Sequence, residues 1–269
     1  MRPESFAPLR PAAFRGLLDA SYNAPATRGE AVLRPFGVAR VDDWIGGGLR
    51  GDGLHEFHAA GPDDLASTLS VALLLGAWPV AGSARQGLIW LRRGSRSAPY
   101  GPGLVALGLD PGAITLLSLG DDRAVLRAAL DAVRAGASGA VLVELAGRQP
   151  LLDLTATRRL VLAAGETGTL VLLVRSDAEP SPSAAHSRWR VASAPSCPLE
   201  ANAPGPPAFV LDLLRHRGGR EGLHIILEWN RDTASFRERP ETAAAAPLPG
   251  RASAVDAGGE RPDPQSRAA

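Results

Sequence analysis

Short apolar runs recur along the chain at Leu54 to His58, Gly87 to Leu91, Ala113 to Ser118, Gly139 to Leu145 and Thr169 to Val174. Their spacing of about 25 to 30 residues and their near-continuous apolarity suit strands buried on both faces of a parallel sheet. Between them, Leu65 to Leu75, Asp121 to Ala135 and Leu152 to Ala164 carry apolar residues at helical spacing. In the second of these, Asp121 and Asp122 lead the first turn, where negative charge complements the helix dipole. Strand and helix therefore alternate, which predicts a mostly parallel α/β sheet with helices on both faces.

Beyond Val174 the pattern changes. Ser187 to Ser193, Pro207 to Leu214 and Gly222 to Trp229 read as further strands, and Arg215-His216-Arg217-Gly218-Gly219-Arg220 joins the last two. That pair predicts an antiparallel C-terminal hairpin at one sheet edge. From Asp232 onward large apolar residues nearly vanish, so 232–269 is expected to form a disordered C-terminal tail. At the other end, Leu9 to Ala20 predicts a short amphipathic helix with Phe14, Leu17 and Leu18 on one side, followed by a loop through Ala24-Pro25-Ala26-Thr27. The expected organisation is thus an N-terminal helix and linker over 1–35, a core over 36–231, and the tail.

Composition narrows the class. The chain has 269 residues, of which 45% are hydrophobic and 21% charged, enough to bury a sizeable core. Its basic residues are all arginine, 29 against 28 acids, so no global positive field draws it to nucleic acid or to a membrane surface. Cys197 is the single cysteine, which excludes a disulfide framework and a cysteine metal site. With no apolar leader and no long uninterrupted apolar stretch, the expected compartment is reducing and cytoplasmic, without membrane spanning.

One motif invites chemistry. Gly61-Pro62-Asp63-Asp64-Leu65-Ala66-Ser67-Thr68 overlays the phosphate-binding pattern G-x-x-x-x-G-K-[ST], with Ala66 in place of the second glycine and Ser67 in place of the lysine. Gly61 and Thr68 are the positions that match. The missing lysine would reach the β and γ phosphates, and no lysine exists elsewhere in the chain to replace it. Asp63 and Asp64 place negative charge where a polyanion would sit, which suits a helix N-terminus and opposes a phosphate. On local evidence the same residues also read simply as a helix cap.

Other clusters have two readings each. Arg92, Arg93 and Arg96, with Trp90 and Tyr100 nearby, form a basic and aromatic group suited to DNA or to an acidic partner, or else a solvated loop. Arg215, Arg217 and Arg220 are candidate partner contacts or a charged hairpin turn. His55 and His58 flank Glu56 and Phe57, but a metal site needs further ligands that five scattered histidines do not supply, so they read as strand residues. No metal and no catalytic residue is expected.

Asp43-Trp44-Ile45-Gly46-Gly47-Gly48-Leu49, then Gly53-Leu54-His55-Glu56, then Gly-Pro-acid and a helix, follow the order at the start of RecA-type ATPase cores. The chain resembles that RecA-like, P-loop NTPase-type fold over about residues 36 to 230. More narrowly it resembles the ImuA family, RecA-related accessory proteins of damage-induced mutagenesis that are grouped with the division inhibitor SulA. Further anchors are Gly139 to Leu145 and the closing hairpin through Glu228-Trp229. The resemblance implies a strand-end acid at Glu144, where RecA-type ATPases carry a Mg²⁺-assisting Asp. It also implies a water-activating Glu after the strand at Ile89-Trp90-Leu91, where this chain has Arg92 and Arg93, which stay protonated and cannot act as a base. The intervals matching the DNA-contacting loops of recombinases are Ala146 to Pro150 and Ser176 to His186. The first is short, and the start of the second carries Asp177 and Glu179 with no aromatic or arginine, so strand exchange is not expected. What the resemblance implies is a non-catalytic adaptor in error-prone translesion synthesis, binding no ATP. Its implied partners are an ImuB-like inactive relative of Y-family polymerases, an error-prone DnaE-type polymerase and RecA, with DNA contact indirect. A divergent ATPase and a SulA-like division inhibitor are the alternatives.

Overall fold

Leu54–Ala59 is apolar at its ends and hidden along its length because it becomes the middle strand of a nine-stranded sheet. The computed structural model describes residues 32–77, 86–94, 98–218 and 220–239. Within them the chain runs β1 (Leu33–Arg34), α1 (Ala39–Trp44), β2 (Leu49–Arg50), β3 (Leu54–Ala59), α2 (Leu65–Ala77) and β4 (Leu88–Arg93). It continues through α3 (Gly101–Ala106), β5 (Ile114–Leu119), α4 (Asp122–Ala135), β6 (Ala140–Ala146), α5 (Leu154–Thr167) and β7 (Leu170–Ser176). Four strands close it: β8 (Ser187–Ala194), β9 (Ala208–His216), β10 (His224–Asn230) and β11 (Ser235–Arg239).

The sheet order is β11-β10-β9-β8-β3-β7-β6-β4-β5, with β1 and β2 forming a separate antiparallel pair. Strand β3 lies parallel to both neighbours, Leu54 opposite Val171 on one side and His55 opposite Ser187 on the other. From β8 outward every pairing is antiparallel. The fold is thus the expected mostly parallel α/β sheet with antiparallel strands at the C-terminal edge.

Strand alternation divides the core in two. Phe57, Leu142, Leu172, Trp189 and Leu211 face one side with α1 and α2, while Leu54, Val143, Val171 and Leu173 face the other with α4 and α5. Helix α2 is apolar around most of its circumference, as a helix sunk into a core must be. Gly76 lets it sit close to the sheet, since a Cβ there would come within 2.6 Å of Leu88 Cδ1. Helices α4 and α5 pack against each other, and Ala129, Ala132, Ala163 and Ala164 are buried in the layer that they share with the sheet. Both start on an aspartate whose side chain accepts a backbone N–H: Asp121 from Ala124 and Asp153 from Ala156, each at 2.7 Å. Both end on a left-handed glycine, Gly136 or Gly168.

Arg34 ties the N-terminal pair to this core. It is buried and donates from Nη1 to the carbonyls of Leu75 (3.3 Å) and Gly76 (3.2 Å), and from Nη2 to Gly139 (3.3 Å). A cation at the last turn of α2 complements the helix dipole, although burial draws the guanidinium down to about 10. The chain then turns through Gly48, with φ +134, where a Cβ would stand 2.6 Å from the Arg34 carbonyl.

Two sequence expectations change. The hairpin of β9 and β10 is present, but it does not form the sheet edge: β11 covers β10, so 235–239 belongs to the core body and not to the tail. The reason is Phe236, which is 3% exposed and packs against Trp229 (ring centroids 4.9 Å), Phe36 (5.9 Å) and Phe209 (6.3 Å). Arg237 and Arg239 hold the same strand by pairing with the buried Glu228 at 2.6 and 3.4 Å. The 1–35 linker likewise gives up its end, since Leu33 and Arg34 form β1. The expected helix at Leu9 to Ala20 and the tail after 239 lie outside the described residues. Short helices α1 and α3 were not anticipated. Among the described residues no helix is long and apolar enough to cross a membrane.

Replacing Phe236 with Ala should lower unfolding stability by about 3–5 kcal/mol, the usual cost of emptying a buried aromatic site. Urea denaturation followed by tryptophan fluorescence checks it, and a change near zero would mean that β11 does not contribute to the core.

Candidate functional site

Strand β3 runs into Ala60 and Gly61, and a tight turn follows. Pro62–Asp64 forms a single 3-10 turn, and α2 begins at once with Leu65. Ala66, Ser67 and Thr68 are therefore already helical, and Pro62 has no N–H to offer. The Thr68 hydroxyl is fully buried and donates to the Asp64 carbonyl at 2.8 Å. The Asp64 carboxylate accepts from the Ser193 backbone N–H (2.7 Å) and from the Ser193 hydroxyl (2.9 Å) on β8. An anion of the protein's own thus stands at the start of α2, bonded across to the neighbouring strand.

Glu144, the strand-end acid, is buried and accepts from the Trp90 indole at 3.1 Å. Directly opposite it in register is Arg92. The sequence placed Arg92 in an exposed cluster, and the structure corrects this. Arg92 is 5% exposed, lies over the Trp90 ring at 5.7 Å and reaches Ser118 Oγ at 3.5 Å. Arg93 points outward and meets Asp122 at 3.4 Å. Arg96 lies outside the described residues.

The hairpin arginines do not make one surface. Arg215 is half-buried and donates to the Ser183 carbonyl at 3.0 Å, holding the segment between β7 and β8. Arg217 gives its backbone N–H to His186 O at 2.8 Å. Arg220 stacks over Trp44 at 4.6 Å, beside α1.

The densest polar group was not singled out from the sequence. Glu56, in the middle of β3, is 2% exposed, and Arg188 of β8 binds it at 2.6 Å. Arg188 also donates to Ser183 Oγ at 3.1 Å and to the Ser181 carbonyl, pulling the β7–β8 connection over the sheet. Burial alone would push the Glu56 carboxyl up, but His58, Arg188 and Ser183 together hold it below the ordinary range. His58 Nε2 is 3.7 Å from Glu56 Oε2, and neither His58 nitrogen has a hydrogen-bond partner. Arg175 of β7, opposite His58, completes the group at 4% exposure. The available signal was polar residues inside two otherwise apolar runs, but only the fold shows that they converge.

On the other side of β3 a pocket of about 400 Å³ collects His55, His186 and His216 with Arg50, Arg217 and the Gly46 to Gly48 turn. His55 bonds Ser187 Oγ at 2.7 Å and the Arg50 carbonyl at 3.1 Å. Burial takes His55 down to about 3 and His186 to about 4, and lowers His216 as well, so all three are neutral at pH 7. Among the described residues no group of three or more His, Cys, Asp or Glu side chains could hold a metal ion.

A parallel sheet flanked by helices, a helix entered directly from the central strand and an antiparallel extension from β8 define a RecA-like α/β protein. The crystal structure of the RadB recombinase shares this fold, with a TM-score of 0.52 at 16% identity over 76% of this chain and 98% of that one. In sequence, the protein named Protein ImuA from Caulobacter vibrioides, matched in two strains, is 32% identical over 216 residues, spanning 74% of this chain and 85% of that protein. No family model matches. The chain belongs to the ImuA family.

His55 generates a pH prediction. Its folded pKa lies below its unfolded value, so the unfolded chain binds more protons below about pH 6.5, and stability should fall as pH drops through that point toward 3. Between pH 7 and 5, where carboxylates contribute little, the slope should reach about 1.4 kcal/mol per unit for this one histidine. Denaturant titrations across that window should show the slope in the native protein and its reduction in His55→Asn, and an unchanged slope in the variant would refute the assignment.

Proposed function

We propose that this chain is a non-catalytic RecA-like adaptor in damage-induced, error-prone translesion DNA synthesis. Family membership supports the setting. The observation that carries the non-catalytic part is the turn after β3. The Asp64 carboxylate is bonded to Ser193, the Thr68 hydroxyl is spent on a helix carbonyl, and the sequence has no lysine. Phosphoryl transfer relies on positioning and charge stabilisation of the polyphosphate, and this turn offers an opposing charge instead. The strand-end residues point the same way. Glu144 is engaged by Trp90, and Arg92 and Arg93 stand where a general base would be needed. With turnover removed, the fold is left to act through surfaces. The partners are an ImuB-like inactive Y-family polymerase relative and an error-prone DnaE-type polymerase, with contact to RecA and only indirect contact to DNA.

Two measurements test this. Millimolar Mg-ATP should leave the melting temperature of the pure protein unchanged and no phosphate should be released, because a ligand that binds the native state would raise stability. A thermal shift or hydrolysis abolished by Thr68→Ala would overturn the non-catalytic reading. Tagged protein purified from DNA-damaged cells should bring down the inactive polymerase relative or the error-prone polymerase, and recovery of the tubulin-like division protein alone would overturn the translesion role.

A further inference from the structure

The segments 148–154 and 175–182, which follow β6 and end β7, enclose a cleft of about 600 Å³. Arg175 contributes to its lining although only 4% of the residue is exposed. Its Nη2 donates to the Gly147 carbonyl at 3.0 Å, while its Nε is buried without a partner. Among the described residues no carboxylate pairs with it directly. The buried acid whose charge acts on it, Glu56, is engaged by Arg188 at 2.6 Å. Two guanidiniums therefore share one carboxylate, and the group holds one positive charge in surplus beside an open cleft. A buried, incompletely bonded charge is costly to keep, and the cost is met when an anion arrives to pair with it.

The rest of the cleft states which anion. Asp177 and Glu179 come from one segment and Asp153 from the other, so three carboxylates outnumber the cleft's two arginines, Arg175 and the exposed Arg148, and a polyphosphate would meet net repulsion. Between these charges the lining is apolar, with Pro150 and Leu152 facing Pro180 and Pro182. Leu154, 36% exposed, adds an apolar side chain to the lining that solvent can reach. A single buried cation with apolar surroundings and an acidic rim matches a protein segment that offers one carboxylate flanked by apolar side chains.

We infer that this cleft docks an extended peptide segment of a partner protein, with one Asp or Glu of that segment on Arg175 and its apolar neighbours against Pro150 and Leu154. The inference rests on the adaptor reading for the partner being a protein, and it adds where that protein binds and what recognises it. The carboxylate enters along the floor of the cleft, reaches the part of the Arg175 side chain that lines it and gives the surplus charge its counterion.

The test uses the full chain as bait for a random-peptide display library, followed by fluorescence anisotropy with the enriched peptide. Enriched sequences should share one acid flanked by apolar residues. Affinity should fall about tenfold or more in Arg175→Met, or when the peptide acid becomes its amide, with little further loss when both changes are combined. Arg175→Met should melt at or above the temperature of the native chain, since a residue kept for binding leaves stability unharmed when its unpaired charge is removed. Leu154→Asp, at an exposed position, provides a second variant that should lose binding while staying folded. Enrichment of peptides without an acid, binding that ignores Arg175→Met and Leu154→Asp, or displacement of the peptide by a dT oligonucleotide would overturn the inference. If both variants still co-purify the polymerase partners from damaged cells, the cleft assignment fails while the adaptor reading stands.

Discussion

The ion pair between Glu56 and Arg188, at 2.6 Å, is the contact around which the other polar choices of this fold are arranged. Strand β3 has parallel neighbours on both sides and packed layers on both faces, so a carboxylate at its midpoint has no water to turn to. It has to find its counter-charge within the sheet, and the next strand supplies it. Once Arg188 is fixed there, its remaining donors select Ser181 and Ser183, which lays the β7–β8 connection across the sheet. Arg215, one strand further out, binds the Ser183 carbonyl and secures the same segment from the other side. Removing one member of such a pair leaves a charge stranded in the interior, so the whole arrangement stands or falls together.

This chain of dependence also explains where the sequence was readable. Apolar runs located eight strands and three helices because burial on two faces leaves an unbroken signature, as in Leu170–Ser176 and Ala140–Ala146. The same signature hid the polar group. Arg175 follows immediately on an apolar run and looks like a strand end, and Glu56 sits between two histidines that looked like ordinary strand residues. Their meaning depends on contacts across more than a hundred residues, such as Arg188 with Glu56. Helices α1 and α3 were invisible because six residues give too few turns to show a period. Strand β11 carries one large apolar residue, Phe236, and the contacts that dock it, to Phe36, Phe209 and Trp229 and from Arg237 and Arg239 to Glu228, come from other parts of the fold.

The arginines show the same limit from the opposite direction. Sequence grouping treats neighbours in number as neighbours in space, yet Arg92 turns inward onto Trp90 while Arg93 turns out toward Asp122, as alternation along a strand demands. Arg215 and Arg220 are five positions apart and serve different sides of the molecule, one the β7–β8 connection and the other Trp44.

The bond from Ser193 to Asp64 has an evolutionary reading. A chain that lost only a lysine could regain nucleotide binding by one codon change. Here the mouth of α2 is closed by an aspartate held across to another strand, and the loop preceding it is wound into a helical turn by Pro62. On the proposed reading, return would need the charge removed, the turn opened and a cation installed, and removing the charge gives up the bonds to Ser193 before any ligand is gained. Such a state works as a ratchet. On the non-catalytic reading proposed above, a lineage that has entered it is free to remodel its outer surfaces, because selection has no nucleotide pocket to preserve.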